Sequence, residues 1–259
     1  MAYRLVRCGI PCLITELADP LSVRRLVCFS SAVHENFITV EGVTARLAED
    51  ISKADRIMLT NEIPVLVDPE LTMSIQMGPA AIVDGRMRKT LEYGNLDPHA
   101  YLIGLGPGFD AGKNCQVVIE TNRGSRLGRV ITVGSTEPDT GIPERVYQYS
   151  IDRVLRAPED GELKTRVEIN SMVRSGQLIA EIAGIPIQAK FDGVVRGLLR
   201  NGSSARKGMK IGDLDPRNDP RLAAMISDKA LSVGGGVIEA ILSDQVLRNK
   251  LMCGGNEIT

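Results

Sequence analysis

No stretch of this chain approaches the roughly 20 consecutive apolar residues that a membrane helix requires, so a membrane-spanning role is not expected. Histidine is nearly absent: His34 and His99 are the only two. General-base chemistry of the Ser/His/Asp or Cys/His kind therefore has almost nothing to draw on. The five cysteines (Cys8, Cys12, Cys28, Cys115 and Cys253) are scattered and odd in number. Cys8 and Cys12 are separated by Gly9 and Pro11, which break any helix that would aim both at one ion. No metal set is expected, and reduced thiols point to a reducing cytoplasm. An excess of charge is missing too, with 31 basic against 32 acidic residues and a pI near 6.2. That balance argues against nucleic acid or a membrane surface as partner. The opening residues carry two arginines but no long apolar core, so a signal peptide is not expected.

What remains is a globular composition, 43% apolar and 24% charged over 259 residues, enough for one large domain or two modest ones. Residues 2–8 predict a short helix stopped by Gly9, and Pro11–Leu17 a strand. Asp19 with Pro20 behind it predicts a helix running to about Val33. Strands are expected at Phe37–Val40, Pro64–Val67, Ala80–Val83, Tyr101–Gly104, Gln116–Glu120 and Arg129–Val133. Helices are expected at Ala48–Arg56 and Gly85–Leu91, so residues 1–149 read as an α/β nucleotide-binding-like domain. A doubly wound domain opens on strand, glycine loop and helix. Here the chain starts inside what resembles that first helix, giving an incomplete Rossmann-like region. Glu16 closes what resembles its second strand, where it would hold ribose hydroxyls or stand as a surface carboxylate.

Residues 157–182 and 189–214 repeat with a shift of 32 (189 − 157). Ala157 and Asp160-Gly161 match Ala189 and Asp192-Gly193, and Gly176 and Ile179 match Gly208 and Ile211. Two such halves, each with an apolar face at strand spacing, bury those faces on one another as a sandwich with twofold pseudosymmetry. The pattern resembles biotinyl and lipoyl carrier domains, whose halves meet at a hairpin bearing a modified lysine. Residues 150–216 are expected to form such a β barrel-sandwich hybrid. The hairpin Glu181-Ile-Ala-Gly-Ile-Pro-Ile-Gln188 has no lysine at its tip, and Lys190 comes too late. A docking or structural module fits better than a swinging arm.

Four glycines follow a strand in Tyr101-Leu-Ile-Gly-Leu-Gly-Pro-Gly-Phe-Asp-Ala-Gly-Lys113. Gly104, Gly106 and Gly108 permit either close approach to an anion or a tight structural turn. The Walker spacing of lysine and hydroxyl is lacking. After the next strand, Asn122, Arg123, Gly124, Arg126 and Arg129 lie near strand ends, where open α/β sheets bind ligands. Guanidinium groups there suit phosphate-like or carboxylate anions, or are solvated loop arginines. Residues 217–259 are expected to be a C-terminal helical segment packing on the α/β domain. Ser227-Asp228 caps it, and Gly234–Gly236 mark either a close approach of backbones, the favoured reading, or a loop before a helix at Val237.

The segments Val40-Glu-Gly-Val43, Ile103-Gly-Leu-Gly-Pro-Gly-Phe109, Glu120-Thr-Asn-Arg-Gly124, Leu127-Gly-Arg-Val130, Arg153-Val-Leu-Arg-Ala-Pro158, Lys210-Ile-Gly-Asp213, Ser227-Asp-Lys-Ala230 and Gly234-Gly-Gly-Val-Ile-Glu-Ala240 together carry a resemblance covering nearly the whole chain. They resemble the accessory proteins of the selenium-dependent molybdenum hydroxylase system, relatives of xanthine dehydrogenase accessory factors. Members open on a strand and a Gly-x-Gly-Asp-Leu type loop, which this chain lacks. The resemblance implies a maturation factor acting on an apo-hydroxylase, with molybdenum cofactor or a nucleotide as a small anionic ligand. Sulfuration or selenation of that cofactor is the implied context, and a homo-oligomer is compatible with it. The alternatives are a non-catalytic docking protein and a dinucleotide-dependent enzyme with a degenerate Rossmann site. Cys115, just past the glycine loop, is either a sulfur or selenium acceptor or a packed thiol.

Overall fold

The computed structural model describes residues 1–86 and 100–253 and shows a mixed α/β chain of several sheets with C-terminal helices. No single helix among the described residues is long and apolar enough to cross a membrane. Two compact units emerge. One comprises Met1–Ala18, Val43–Thr140 and the chain from Ser227 on; the other comprises Asp19–Gly42 and Gly141–Ile226. These units cut across the sequential division at residues 149 and 216.

In the first unit, strand Ile63–Val67 lies between Ile14–Glu16 and Val43–Ala48, all parallel. Helix Ile51–Leu59 makes the crossover, its N-terminus capped by the Asp50 carboxylate on the Lys53 N–H at 2.7 Å. Ala54 and Ile57 pack with Ala48 and Leu66. This helix starts three residues later than the sequence predicts, because Ala48 still belongs to the strand and the capping aspartate comes only at position 50. A second sheet joins Ala81–Asp84, Tyr101–Leu105 and Val117–Ile119 in parallel, with Val130–Ile131 antiparallel at its edge. Gly85 and Arg86 follow the first of these outside any helix, and the rest of the helix expected at Gly85–Leu91 lies outside the described residues, as does His99. Helix Asp228–Ser243, capped by Ser227, lays Val233, Val237, Ala240 and Ile241 on Ile103, Leu105, Val117 and Ile119. The expected first helix is present as Ala2–Arg7, with Leu5 in the same core.

The second unit contains two four-stranded antiparallel sheets. One has the order Val154–Arg156, Lys210–Asp215, Gly193–Leu198, Met172–Val173; the other has Ile185–Gln188, Leu178–Ile182, Gly161–Thr165, Ser204–Ala205. Shifting by 32 residues turns the first order into the second. One core joins the paired positions Leu155 and Ile187, Leu163 and Val195, Val173 and Ala205, Ile179 and Ile211, and Ile182 and Leu214. The hydrogen bonds obey the same dyad. Gly176 donates to the Ala189 carbonyl and Gly208 to that of Ala157, both at 2.8 Å. Asp160 accepts from the Lys207 N–H and Asp192 from the Ser175 N–H, both at 2.7 Å. Each Asp-Gly pair therefore fixes a turn in the opposite half, which explains why the motif occurs twice. The hairpin bend uses Ala183 at φ 51° and Gly184 at φ 75°.

The helix predicted from Asp19 to Val33 does not form. Short 3₁₀ turns at Arg25–Val27 and Phe29–Ser31 and a single α turn at Ala32–Glu35 take its place. The cause is tertiary. The Val23 carbonyl accepts from Leu198 N–H at 2.8 Å, and Arg25 Nε donates to the Leu198 carbonyl at 2.9 Å. Ser22 and Ser30 hydroxyls pair at 2.7 Å, while Ser31 donates to the Arg25 carbonyl. The Val23 carbonyl, which a helix would pair internally, is bound to a strand instead, and the Arg25 carbonyl to a side chain of its own segment.

Candidate functional site

Leu105 pairs with Ile119 and Gly104 with Asp84 across adjacent parallel strands. Three strands thus deliver their carboxyl ends to one edge of the second sheet, where open α/β sheets place ligand sites. Asp84 is buried there and grips Arg86 with both oxygens, the shortest bond being 2.6 Å. The glycine loop and the loop beginning at Glu120 leave this edge side by side.

Glu120 organises the second loop. Its fully buried carboxylate accepts from the Asn122 N–H at 2.7 Å and the Glu137 N–H at 2.8 Å. Its backbone pairs with Gly128 and Arg129, closing the loop on itself. Asn122 Nδ2 donates to Glu137 at 2.6 Å, with Arg126 3.9 Å from the same carboxylate. Arg123 forms an ion pair with Asp228 at the start of the C-terminal helix, and Arg129 Nε donates to the Ser125 carbonyl. The structure thus places Asn122, Arg123, Gly124 and Arg129 on one loop, Gly106 and Gly108 on its neighbour, and Gly104 in the strand that leads into the latter. Glu16 belongs to the other sheet of this unit, where its carbonyl accepts from Asp68 N–H at 3.1 Å. Burial raises the Glu16 carboxyl above its ordinary pKa.

Two of the glycines have a packing reason. A Cβ on Gly104 would come within 2.6 Å of the Phe109 Cβ, and one on Gly106 within 3.2 Å of Thr121 Cγ2. The Gly106 N–H donates to the Ile119 carbonyl at 3.0 Å, so it does not face a ligand. Anion recognition at this edge would therefore fall to Gly108 and the polar loop 120–129 rather than to a full nest of N–H groups. The sequence places Glu120 at a strand end but assigns neither it nor Glu137 a part in ordering this loop. A carboxylate ending a buried strand was the available signal.

Asp68, also at a strand's carboxyl end, accepts from the Thr72, Met73 and Ser74 N–H groups at 2.7–3.0 Å. Burial alone would raise its pKa, but the bonds from Ser74, Thr72 and Met73 outweigh burial and hold it below the ordinary value. A depressed carboxyl contributes stability above its unfolded pKa of about 3.9 and loses it as pH falls through the folded value. The urea-midpoint gap between wild type and Asp68→Asn is expected to be wide at pH 6 and to narrow towards pH 2.5. A gap constant across that range would refute the assignment.

Among the described residues, no group of three or more His, Cys, Asp or Glu side chains is placed to hold a metal ion. His34 instead lies 3.3 Å from Asp19. Cys115 is buried beside Phe109 and Val118, and burial pushes its thiol up to about 11. The thiolate is the reactive form, so at pH 8 a thiol reagent should label exposed Cys8 readily and Cys115 at least tenfold more slowly. Equal labelling, followed by peptide mapping, would show that the thiol is accessible after all.

Fold and site together define an α/β protein with a loop-built carboxyl edge, joined in sequence to a duplicated two-sheet β unit. No family model matches the chain. It is 40% identical over 242 residues to the uncharacterized protein YqeB of Escherichia coli strain K12, across 93% of this chain and 45% of that protein. The chain thus spans about half the length of the curated relative it matches. Among solved structures, an aspartoacylase family protein from Mesorhizobium loti aligns over 24% of this chain and 22% of its own, with 18% identity and a TM-score of 0.23. A succinylglutamate desuccinylase/aspartoacylase from Rhodobacter sphaeroides aligns over 27% and 24%, with 20% identity and a TM-score of 0.24. Likeness at that level carries no argument about fold or activity.

Proposed function

We propose that this chain is an accessory factor in maturing a selenium-dependent molybdenum hydroxylase, taking up a phosphorylated or otherwise anionic ligand and passing it to the apo-enzyme. The observation that carries the reading is the shared carboxyl edge of three parallel strands, where the glycine loop and the Glu120-ordered loop meet. The motif resemblance along nearly the whole chain supplies the cellular context. On this reading the first unit is a Rossmann-like domain. The second is a biotinyl/lipoyl-like module without a carrier lysine, serving to dock the partner. Ile185, beside the bend, is 39% exposed and offers an apolar handle where a carrier lysine would otherwise project.

Isothermal titration of the protein with molybdopterin, and separately with nucleotides, tests the ligand. Saturable heat with one of them, weakened about tenfold in an Asn122→Ala, Arg126→Ala double variant, is the expected result. No heat with any of them would overturn ligand uptake. Retained co-purification of the apo-hydroxylase together with no heat would leave the docking role alone standing. Loss of co-purification in Ile185→Asp, with unfolding unchanged, is expected if the bend docks the enzyme.

A further inference from the structure

Strand Lys210–Asp215 of the β unit carries two carboxylates, Asp213 and Asp215, that are 6% and 0% exposed. Five cations gather round them. Arg153, buried itself, lies 3.4 Å from Asp213 and donates to the carbonyls of Leu214 and Glu144. Arg217 grips Asp215 with bonds of 2.9 and 2.6 Å. Lys210 is 3.8 Å from Asp213, and Arg196 is 3.9 Å from Asp213 and 3.7 Å from Asp215. The fifth, Arg24, comes from the segment Asp19–Gly42. Its Nη2 donates to the carbonyls of Leu222, Ala223 and Met225.

Gly197 lets Arg24 lie down on the strand: a Cβ there would meet the Val23 carbonyl oxygen at 2.8 Å and Arg24 Cδ at 3.1 Å. Arg24 therefore rests next to Arg196 in the same unit. Glu144 and Tyr147 act on Arg217 from the neighbouring loop. With Glu144 counted, and Asp219 together with its own partner Arg221, six positive charges face four carboxylates. Burial, and then the charge of Arg196, push Arg24 down to about 10, and burial lowers Arg196 and Lys210 as well.

The second observation is independent of charge. Arg24 Nε and Arg196 Nε are both buried, and neither has a hydrogen-bond acceptor. The nearest carboxylate oxygen to Arg196 Nε, on Asp215, is 3.7 Å away, beyond bonding distance. A buried donor on a cation is costly to leave unmatched, and an anionic oxygen matches it best. We propose that Arg24 and Arg196 together bind a small oxyanion of the phosphate class, held where the segment Asp19–Gly42 crosses strand Gly193–Leu198. The planar donor fork of arginine suits such an anion better than chloride. This site lies in the β unit and does not depend on the ligand reading for the first unit.

Inorganic phosphate titrated into the full chain, with ionic strength held constant by sodium chloride, tests it. Saturable phosphate binding and a rising thermal midpoint are expected, because a ligand of the folded state stabilises it by mass action. Arg196→Gln and Arg24→Gln should each weaken binding at least tenfold, whereas Arg56→Gln in the first unit should leave it unchanged. If Arg196→Gln fails to fold, Arg24→Gln and the phosphate-against-chloride comparison decide. A nucleoside monophosphate that binds tighter than phosphate would mark the anion as the phosphoryl group of a larger ligand; equal binding would mark a free anion. Equal midpoints in phosphate and in chloride would mean that salt merely screens the cluster. That result, or phosphate binding untouched in both glutamine variants, overturns the site.

Discussion

Alanine at position 236 is expected to destabilise the protein by about 3 kcal/mol or more, while alanine at the adjacent position 235 stabilises it by about 1 kcal/mol. Both residues lie in helix Asp228–Ser243, where glycine is unfavourable as a helix former. Their surroundings differ. A Cβ on Gly236 would run into the carbonyl oxygen of Gly128 and approach Ile119 Cγ2 within 2.8 Å, and a backbone carbonyl cannot rotate out of the way. Gly128 is held just as closely, since a side chain there would meet the Ser232 carbonyl oxygen at 2.6 Å. A Cβ on Gly235 would meet nothing within 4 Å, so alanine there brings only its better helix propensity. Urea unfolding followed by circular dichroism measures both changes. Two stabilising alanines would mean that helix and loop are not packed backbone to backbone.

That contrast also marks how far sequence reasoning reaches. The glycine triplet signalled close packing, and the helix does approach a loop there. But only the structure distinguishes Gly234 and Gly236, which face neighbours, from Gly235, which does not. The duplicated β unit was legible because its shift of 32 residues carries apolar positions and turn aspartates together. Local signals misled where tertiary pairing competes with them. Asp19-Pro20 is a sound helix start, yet Val23 and Arg25 bond to Leu198, which is 173 residues beyond Arg25. The loop at Glu120 was partly legible through its glycines and arginines. What orders it, a carboxylate reaching an N–H 17 residues away at Glu137, has no local signature.

Asp215→Asn is expected to cost about 3–5 kcal/mol, the range for breaking a buried ion pair by removing one partner. The substitution leaves Arg217 without its doubly bonded carboxylate and Arg196 with one fewer counter-charge, in a cluster already rich in cations. Adding Arg196→Met to that variant should restore part of the loss, because the second change removes a charge that the first left uncompensated. A double-mutant cycle on urea midpoints should give a coupling of about 0.5–3 kcal/mol. Additive losses would show that Arg196 and Asp215 act independently. Acid gives a second check. Burial opposes ionisation of Asp215, but its bonds to Arg217 and the charge of Arg196 win and hold its pKa below the ordinary value. Its contribution is therefore complete above about pH 3.9 and disappears as pH falls through the folded value.

Each sheet of the β unit takes two strands from the first repeat and two from the second. One repeat alone would hold half of each sheet and would leave its strands with open edges and no closed core. Two identical copies meeting about a dyad would complete both sheets by exchanging strands, as in swapped homodimers. This unit is such a dimer written into one polypeptide. Its bend at Ala183–Gly184 joins the two halves covalently, so each half has its complement at any protein concentration.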